Sequence, residues 1–263
     1  MNLHPESPSK KQIASAFGRK AVSYEHFASV QKELLHLVSS RIEKREQKGT
    51  WVDLGCGTGV LEKILSEKED RFRITGVDLS FNSLKVFKER ALWNTSQVQS
   101  DIERLPFRPD SIDGAVICSV LQWLRDIPAF LKTLSGLMKT GSCMVFSLFT
   151  ADSFRELISV RRDYGLSFPV NLMDQQNFRN ILPENGFFLE EHVEYRAVKY
   201  FPDAMELLRS LSSIGSTIVS GRRLSRSELW EFCRLYEDKF KTSQGIPLTY
   251  HAIVGTSIKK ENI

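Results

Sequence analysis

Residues 51–59 read WVDLGCGTG, a short apolar run that ends in three closely spaced glycines. An amphipathic helical pattern follows, so the stretch predicts a buried strand, a glycine-rich loop and a helix. Gly55, Gly57 and Gly59 let the backbone turn tightly and come close to a ligand. A glycine-rich loop alone is weak evidence, since a structural turn or a dinucleotide site can look similar.

The residues around this loop narrow the choice of ligand. A dinucleotide fingerprint that starts at Gly55 needs its third glycine at position 60, which is Val60. Asp53 directly precedes the loop, where a carboxylate would repel a pyrophosphate but suits the amino group of a methionine moiety. These features favour S-adenosylmethionine, which carries no phosphate.

Two further acidic residues follow at matching places. ITGVDLS at 74–80 puts Asp78 at the end of a second predicted strand, where a carboxylate can accept hydrogen bonds from both ribose hydroxyls. QSDIERLPF at 99–107 puts Asp101 and the backbone of Ile102 where an adenine edge would lie. Each aspartate alone is equally typical of a turn or a cap, so the joint pattern carries the prediction.

Apolar β-branched runs alternate with amphipathic stretches along the chain, which predicts a parallel sheet with helices on both faces. The predicted strands are 51–54, 73–77, 112–118, 142–149, 191–200 and 250–257. The predicted helices are 59–67, 83–92, 127–137, 175–183 and 227–240, with Ser225 or Ser227 as the cap of the last.

Three parts of the chain are expected. Residues 1–45 form a helical cap over one end of the pocket, 46–150 the cofactor-binding core, and 151–263 the remainder of the α/β core. Two stretches, near 151–173 and 203–245, exceed what a sheet connection needs, and we expect them to form a substrate lid.

Composition excludes several classes of protein. In 263 residues, 41% are hydrophobic and 26% charged, close to the average of soluble globular domains. The polar start MNLHPESPSKKQ lacks a secretory signal, which predicts a cytoplasmic protein. Four scattered cysteines lack metal-ligand spacing, so no metal site is expected. A net charge of +4 is too modest to indicate nucleic-acid binding.

Taken in order, DLGCGTG, VDLS, SDIERLPF and SIDGAVICSVLQW resemble the successive motifs of class I S-adenosylmethionine-dependent methyltransferases. Three other stretches, AFGRKAVSYEHFASVQ, LRSLSSIGS and GIPLTYHAIVG, are similar to the malonyl-acyl carrier protein O-methyltransferases that open pimelate synthesis for biotin. The resemblance covers 11–257. It implies a Rossmann-like α/β fold and methyl transfer from S-adenosylmethionine to the free carboxylate of a malonyl thioester on acyl carrier protein.

The resemblance also implies roles for particular residues. Arg209 would anchor the substrate carboxylate and Tyr24 would position it, although a solvated arginine and a core tyrosine are equally compatible with the pattern. Phe17, Gln122 and Trp123 would form the substrate pocket. The implied cofactor contacts are Asp53, Gly55, Cys56, Gly57, Thr58, Gly59, Asp78, Leu79, Asp101, Ile102 and Ser119.

Acyl carrier proteins are acidic, so a basic surface should dock one. The candidates are Arg222, Arg223 and Arg226, or the pair Arg161 and Arg162, although a charge run is more often a solvated face. A monomer that binds neither membrane nor nucleic acid is expected. Two alternatives stay open: a related methyltransferase acting on another small carboxylate or a quinone precursor, and a non-catalytic binding module of the same fold.

Overall fold

A seven-stranded sheet forms the centre of the molecule. The computed structural model describes residues 8–22, 28–45, 49–67, 72–90, 94–166, 168, 170, 172–213 and 224–261. The strands are β1 (Gly49–Leu54), β2 (Phe72–Asp78), β3 (Thr95–Gln99), β4 (Ile112–Cys118), β5 (Met138–Phe149), β6 (Phe187–Phe201) and β7 (Ile246–Lys259). Their order across the sheet is β3-β2-β1-β4-β5-β7-β6.

The first five strands in this order are parallel, but β7 runs antiparallel to both of its neighbours, β5 and β6. The prediction of a parallel sheet is therefore wrong for β7, because a buried run has the same pattern in either direction. The prediction also missed β3, a TSQVQ segment that forms one edge of the sheet and carries mostly polar side chains.

Helices cover both faces of the sheet, as predicted. They are α1 (Lys10–Lys20), α2 (Ser29–Glu43), α3 (Val60–Ser66), α4 (Phe81–Glu89), α5 (Ile127–Leu137), α6 (Arg155–Asp163), α7 (Gln175–Glu184), α8 (Ala204–Ser213) and α9 (Arg226–Phe240). The predicted cap of the last helix is confirmed: Ser225 accepts a hydrogen bond from the backbone N–H of Glu228, whose side chain bonds back to the cap.

The two larger apolar cores lie on opposite faces of the sheet. One lies between the sheet and α2, α3, α6, α8 and α9, and it contains Trp51 and Tyr236. The other lies against α5 and α7, and it contains Phe146 and Phe178. Burial of these large side chains is the main favourable contribution to folding, and it fixes the strand ends that build the site.

Where the structure describes them, the two long stretches expected to form a lid pack mainly against the sheet. In the first, Leu157 and Val160 of α6 are buried in the same core as Phe232 of α9 and Leu207 of α8, which belong to the second. None of the described residues in either stretch lines the cleft described below. In the described ranges, no helix is both long and apolar enough to cross a membrane.

Candidate cofactor and active site

A cleft opens at the carboxyl ends of β1, β2 and β4, with α1 and the start of α2 along its other side. In a doubly wound sheet this edge is where ligands bind. Most of the predicted contacts meet in it: Phe17, Asp53, Gly55, Cys56, Gly57, Thr58, Asp78, Leu79, Asp101, Ile102, Ser119 and Trp123 line the cleft.

The glycine-rich loop is bound to the neighbouring strand. The backbone N–H groups of Gly55 and Cys56 both donate to the carbonyl oxygen of Val77, at 2.7 and 3.2 Å. The N–H of Gly57 donates to Oδ2 of Asp78 at 2.9 Å. These bonds hold the loop against the end of β2, so that its outer surface faces the cleft.

Gly59 and Gly57 have different structural roles in the loop. Gly59 has φ of +77° and precedes α3, and a Cβ there would lie 2.6 Å from the buried ring of Phe87. Its role is close packing, and it does not line the cleft. Gly57 has φ of +55°, and a Cβ there would meet no atom within 4 Å. The backbone at Gly57 is therefore open to the cleft, where a ligand could approach it closely.

Both carboxylate oxygens of Asp78 accept backbone hydrogen bonds, which hold this side chain in place. Its Oδ1 accepts the N–H of Ser80 at 2.7 Å while Oδ2 accepts that of Gly57. Burial raises the pKa of its carboxyl, and the backbone hydrogen bonds from Ser80, Gly57 and Leu79 oppose that rise. The carboxylate also lines the cleft, so its remaining acceptor capacity can serve a sugar hydroxyl there.

Asp53 faces a second buried carboxyl that the sequence analysis missed. Asp53 is 3% exposed at the end of β1, and Glu62, on the first turn of α3, is 1% exposed. Burial raises the pKa of Asp53 to about 7, aided by the charge of Asp78 and opposed by a hydrogen bond with Glu62. Burial and the charge of Asp53 raise the pKa of Glu62, and Arg90 opposes the rise. The pair therefore holds a proton near neutral pH.

Asp101 is already engaged by protein groups. Its Oδ1 accepts the ammonium of Lys10 at 3.0 Å and the N–H of Glu103 at 3.1 Å, and Lys10 also pairs with Glu103. Lys10 thus compensates the charge at this end of the cleft, so that a neutral aromatic edge can lie beside Asp101 and Ile102.

Ser119 has an uncommon backbone conformation, with φ of +58°. Its N–H donates to the carbonyl oxygen and to Oγ of Ser147, at 3.1 and 3.0 Å, and its carbonyl oxygen accepts Nε2 of Gln122 at 2.9 Å. Gln122 therefore supports this turn and is not among the residues that line the cleft. Such a conformation persists only where its surroundings hold it, and it is common at ligand sites.

Two aromatic side chains form the apolar wall of the cleft. Phe17 of α1 and Trp123 stand edge to face, with ring centroids 5.3 Å apart. This pair closes the cleft between the N-terminal helix and the segment after β4. The two rings give this side of the cleft an apolar surface.

Of the residues predicted to anchor the substrate or to dock the carrier protein, those that the structure describes do not line the cleft, unlike most of the predicted cofactor contacts. Arg209 lies on α8 with its side chain 70% exposed, where it pairs with Glu206 at 3.6 Å, and it does not line the cleft. Tyr24, Arg222 and Arg223 lie outside the described residues. Arg226 begins α9, and Arg161 and Arg162 lie in the last turn of α6.

Some lining residues escaped the sequence analysis, notably Lys10, Gln31 and Ser80. Glu62 could have been found from its spacing, because it lies three positions before the buried Leu65 and so shares a helix face with it. Nothing in the local pattern of Gln31 or Lys10 marks either residue as part of a site.

Comparisons with known proteins agree with this geometry. A family model described as a methyltransferase domain matches residues 24–192. A malonyl-[acyl-carrier protein] O-methyltransferase of Hamiltonella defensa is 30% identical over 262 residues, 97% of this chain and 96% of the relative. The enzyme of the same name from Geobacter sulfurreducens is 28% identical, over 94% of this chain and 97% of its own length.

Solved structures share the fold at low sequence identity. The YcgJ protein from Bacillus subtilis superimposes with a TM-score of 0.64 at 16% identity, covering 88% of this chain and 100% of that one. Geranyl diphosphate C-methyltransferase from Streptomyces coelicolor, in complex with S-adenosyl-L-homocysteine, gives 0.52 at 14% identity, with 85% of this chain and 75% of that one covered. These likenesses establish a class I methyltransferase fold.

The buried carboxyl pair predicts a stability that depends on pH. With both pKa values raised, the folded protein holds more protons than the unfolded chain above about pH 4, so the free energy of unfolding should fall as pH rises. Glu62→Gln removes one of the two carboxyls. We expect its melting temperature at pH 8.5 to exceed that of the parent by about 3 °C or more, with a smaller gap at pH 5.

The matched control is Glu67→Gln, which removes an exposed carboxyl at the end of the same helix. Its melting temperature should follow the parent at both pH values. An equal gap at pH 5 and pH 8.5 for Glu62→Gln would contradict the assignment of the buried pair.

Proposed function

Since the chain belongs to the malonyl-[acyl-carrier protein] O-methyltransferase family, we propose that it methylates the free carboxylate of malonyl-acyl carrier protein, with S-adenosylmethionine as donor. The product is the methyl ester that primes pimeloyl synthesis for biotin. The main support is one observation: Asp53, Asp78 and Asp101 meet around an open glycine-rich loop at the carboxyl edge of the sheet.

The cleft fits S-adenosylmethionine by the chemistry of its lining. The remaining acceptor capacity of Asp78 suits a ribose hydroxyl, and the negative charge of Asp53 suits the methionine ammonium. The bare backbone at Gly57 leaves room for the ligand chain. When bound, the cofactor supplies a methyl group on a positively charged sulfur.

The chain needs no general base for this reaction. A malonyl carboxylate is ionised at neutral pH, so its oxygen is already a nucleophile. The protein's own contribution is placement: it holds the carboxylate in line at near-attack distance and keeps water out, as the Phe17–Trp123 wall does on one side. Methylation then removes a charge that would be costly to bury in later apolar enzyme channels.

Arg209 stays our proposed anchor for the carboxylate, and Tyr24 the proposed positioning hydroxyl. Arg209 would have to leave Glu206, which is inexpensive because an exposed pair contributes at most about 1 kcal/mol. The next residue along α8, Ser210, lines a cavity that adjoins the cleft. Gln122 is proposed to act indirectly, by holding the Ser119 turn.

Other parts of the proposal rest on the sequence. We assign residues 1–45 to a cap, 46–150 to cofactor binding and 151–263 to the substrate side. The acidic carrier protein would dock on Arg226 with its neighbours, or on Arg161 and Arg162. We propose a cytoplasmic monomer that binds neither nucleic acid nor membrane.

The decisive experiment follows labelled methyl from S-adenosylmethionine. With the purified chain and malonyl-acyl carrier protein, we expect label in a base-labile ester on the carrier protein. Label on a quinone precursor or another small acid, with none on the carrier protein, would point to a related methyltransferase. Failure to bind S-adenosylhomocysteine would point to a non-catalytic module.

Arg209→Ala should lower kcat/KM for malonyl-acyl carrier protein at least about tenfold, because a charged hydrogen bond to the substrate is lost. The dissociation constant of S-adenosylhomocysteine should change by less than about twofold, a difference that calorimetry resolves. Arg234→Ala, an exposed arginine of α9, is the control. Parent-like turnover of Arg209→Ala would show that another residue anchors the carboxylate.

Asp78→Asn should raise the dissociation constant of S-adenosylhomocysteine at least about tenfold, since an amide presents a donor where two acceptors are needed. Isothermal titration calorimetry measures this directly. Asp238→Asn, at an exposed position of α9, is the matched control. Unchanged affinity in Asp78→Asn, with a parent-like melting temperature, would remove Asp78 from the ribose site.

A further inference from the structure

A second, polar cavity adjoins the cofactor cleft. It lies between the start of α2, the end of β6, α8 and β7, and Gln31 borders both this cavity and the cleft. The lining residues with polar side chains are Ser29, Gln31, Lys199, Tyr200, Ser210 and Tyr250. A ligand that fills the second cavity therefore ends next to the space in front of the glycine-rich loop.

The Tyr250 hydroxyl has no hydrogen-bond partner among the described residues, although the residue is only 5% exposed. Its ring is fixed by Phe154 and Phe149, with centroids 5.2 and 6.1 Å away. Burial raises the pKa of this phenol, so the hydroxyl stays protonated and can donate. An unpaired hydroxyl of a residue that lines a cavity can donate to a ligand in that cavity.

Other tyrosines of the described chain show what the fold does with a phenol. Tyr195 donates to Glu33 at 2.5 Å, Tyr236 to the carbonyl oxygen of Pro247 at 2.8 Å, and Tyr164 to Glu231 at 3.0 Å. Tyr250 is buried as deeply as a core residue, yet it faces a cavity. Its hydroxyl therefore does not serve the packing of the fold.

Lys199 brings a positive charge to the same cavity. Its ammonium donates to Oε1 of Glu33 at 2.8 Å. The other carboxylate oxygen of Glu33 accepts the Tyr195 hydroxyl, so both oxygens have a hydrogen-bond donor. These hydrogen bonds hold the pKa of Glu33 below its ordinary value. An ammonium has three donors, and the two that Glu33 leaves can serve a ligand.

We propose that this second cavity binds the carboxylate end of the acyl substrate, with Tyr250, Gln31 and Lys199 as its donors. The inference rests on the proposed function and deepens it. A carboxylate only accepts hydrogen bonds, and each of these three side chains can donate one. Because Gln31 also borders the cleft, a carboxylate held here presents an oxygen toward the methyl donor.

The placement agrees with the proposed role of Arg209. Ser210 lines the cavity, so the helix that carries Arg209 forms one of its walls. Arg209 would act from the outer side of the cavity and Tyr250 from its buried side. It also gives a role to the GIPLTYHAIVG stretch, whose tyrosine is Tyr250.

Tyr250→Phe removes one oxygen and keeps the ring. We expect KM for malonyl-acyl carrier protein to rise at least about tenfold, with the dissociation constant of S-adenosylhomocysteine within about twofold of the parent. Tyr164→Phe makes the same change near the surface and should leave both values unchanged. A parent-like KM in Tyr250→Phe would overturn the proposal.

Thermal stability separates a binding role from a structural one. Since the hydroxyl has no partner in the described chain, Tyr250→Phe should melt at the same temperature as the parent or higher. A melting temperature several degrees lower would show that the hydroxyl supports the fold, and would also overturn the proposal.

Calorimetry with free malonate separates this inference from the proposed function. Malonate is titrated into protein saturated with S-adenosylhomocysteine. It should bind the parent and Lys199→Arg. Its affinity for Tyr250→Phe and for Lys199→Met should be at least about tenfold lower. Equal binding by all four proteins would refute the cavity assignment, even if methyl transfer occurs. Absent methyl transfer would refute the function, while selective malonate binding would still support a carboxylate site.

Discussion

The hydrogen bond from the Gly57 N–H to the Asp78 carboxylate joins the two strands on which the site depends. It fixes the glycine-rich loop of β1 against the end of β2, and the same carboxylate orders the entry into α4 through Ser80. The parallel pairing of β1 with β2 and β4 then brings Asp53 and Ser119 to the same edge. One short contact thus sets the geometry of the whole cleft.

That arrangement gathers negative charge in a buried place. Burial raises the pKa of all three carboxyls, Asp53, Glu62 and Asp78. The charge of Asp78 raises the pKa of Asp53 further, and the charge of Asp53 does the same to Glu62. A cationic ligand such as S-adenosylmethionine relieves this repulsion when it binds, whereas a phosphate would increase it. The raised pKa values of these carboxyls and the preference for a cationic ligand therefore have the same physical origin.

The cofactor side was readable from the sequence because each motif follows a strand, and the carboxyl ends of parallel strands must meet. Asp53, Asp78 and Asp101 were placed in this way. Glu62 was missed because a charged residue on a short helix is usually solvated, although its spacing to Leu65 places it on the buried face of α3. The direction of β7 depends on long-range pairing, which no local pattern encodes.

The substrate side was less predictable for the same reason. Tyr250 and Lys199 are 51 positions apart in the sequence, and their approach follows from the antiparallel pairing of β6 with β7, in which Lys199 stands opposite Leu248. Resemblance pointed to the segment around Tyr250 without indicating what its hydroxyl does. That information comes from the structure, in which the hydroxyl lacks a hydrogen-bond partner within the described ranges.

The position of β7 also bears on how the chain folds during synthesis. This strand is made after β5 and β6, yet it lies between them and pairs with both. Until residues 246–259 leave the ribosome, two long strands have exposed edges, a state that favours aggregation or chaperone binding. The cofactor-binding half can form early, but the cavity that contains Tyr250 is completed last.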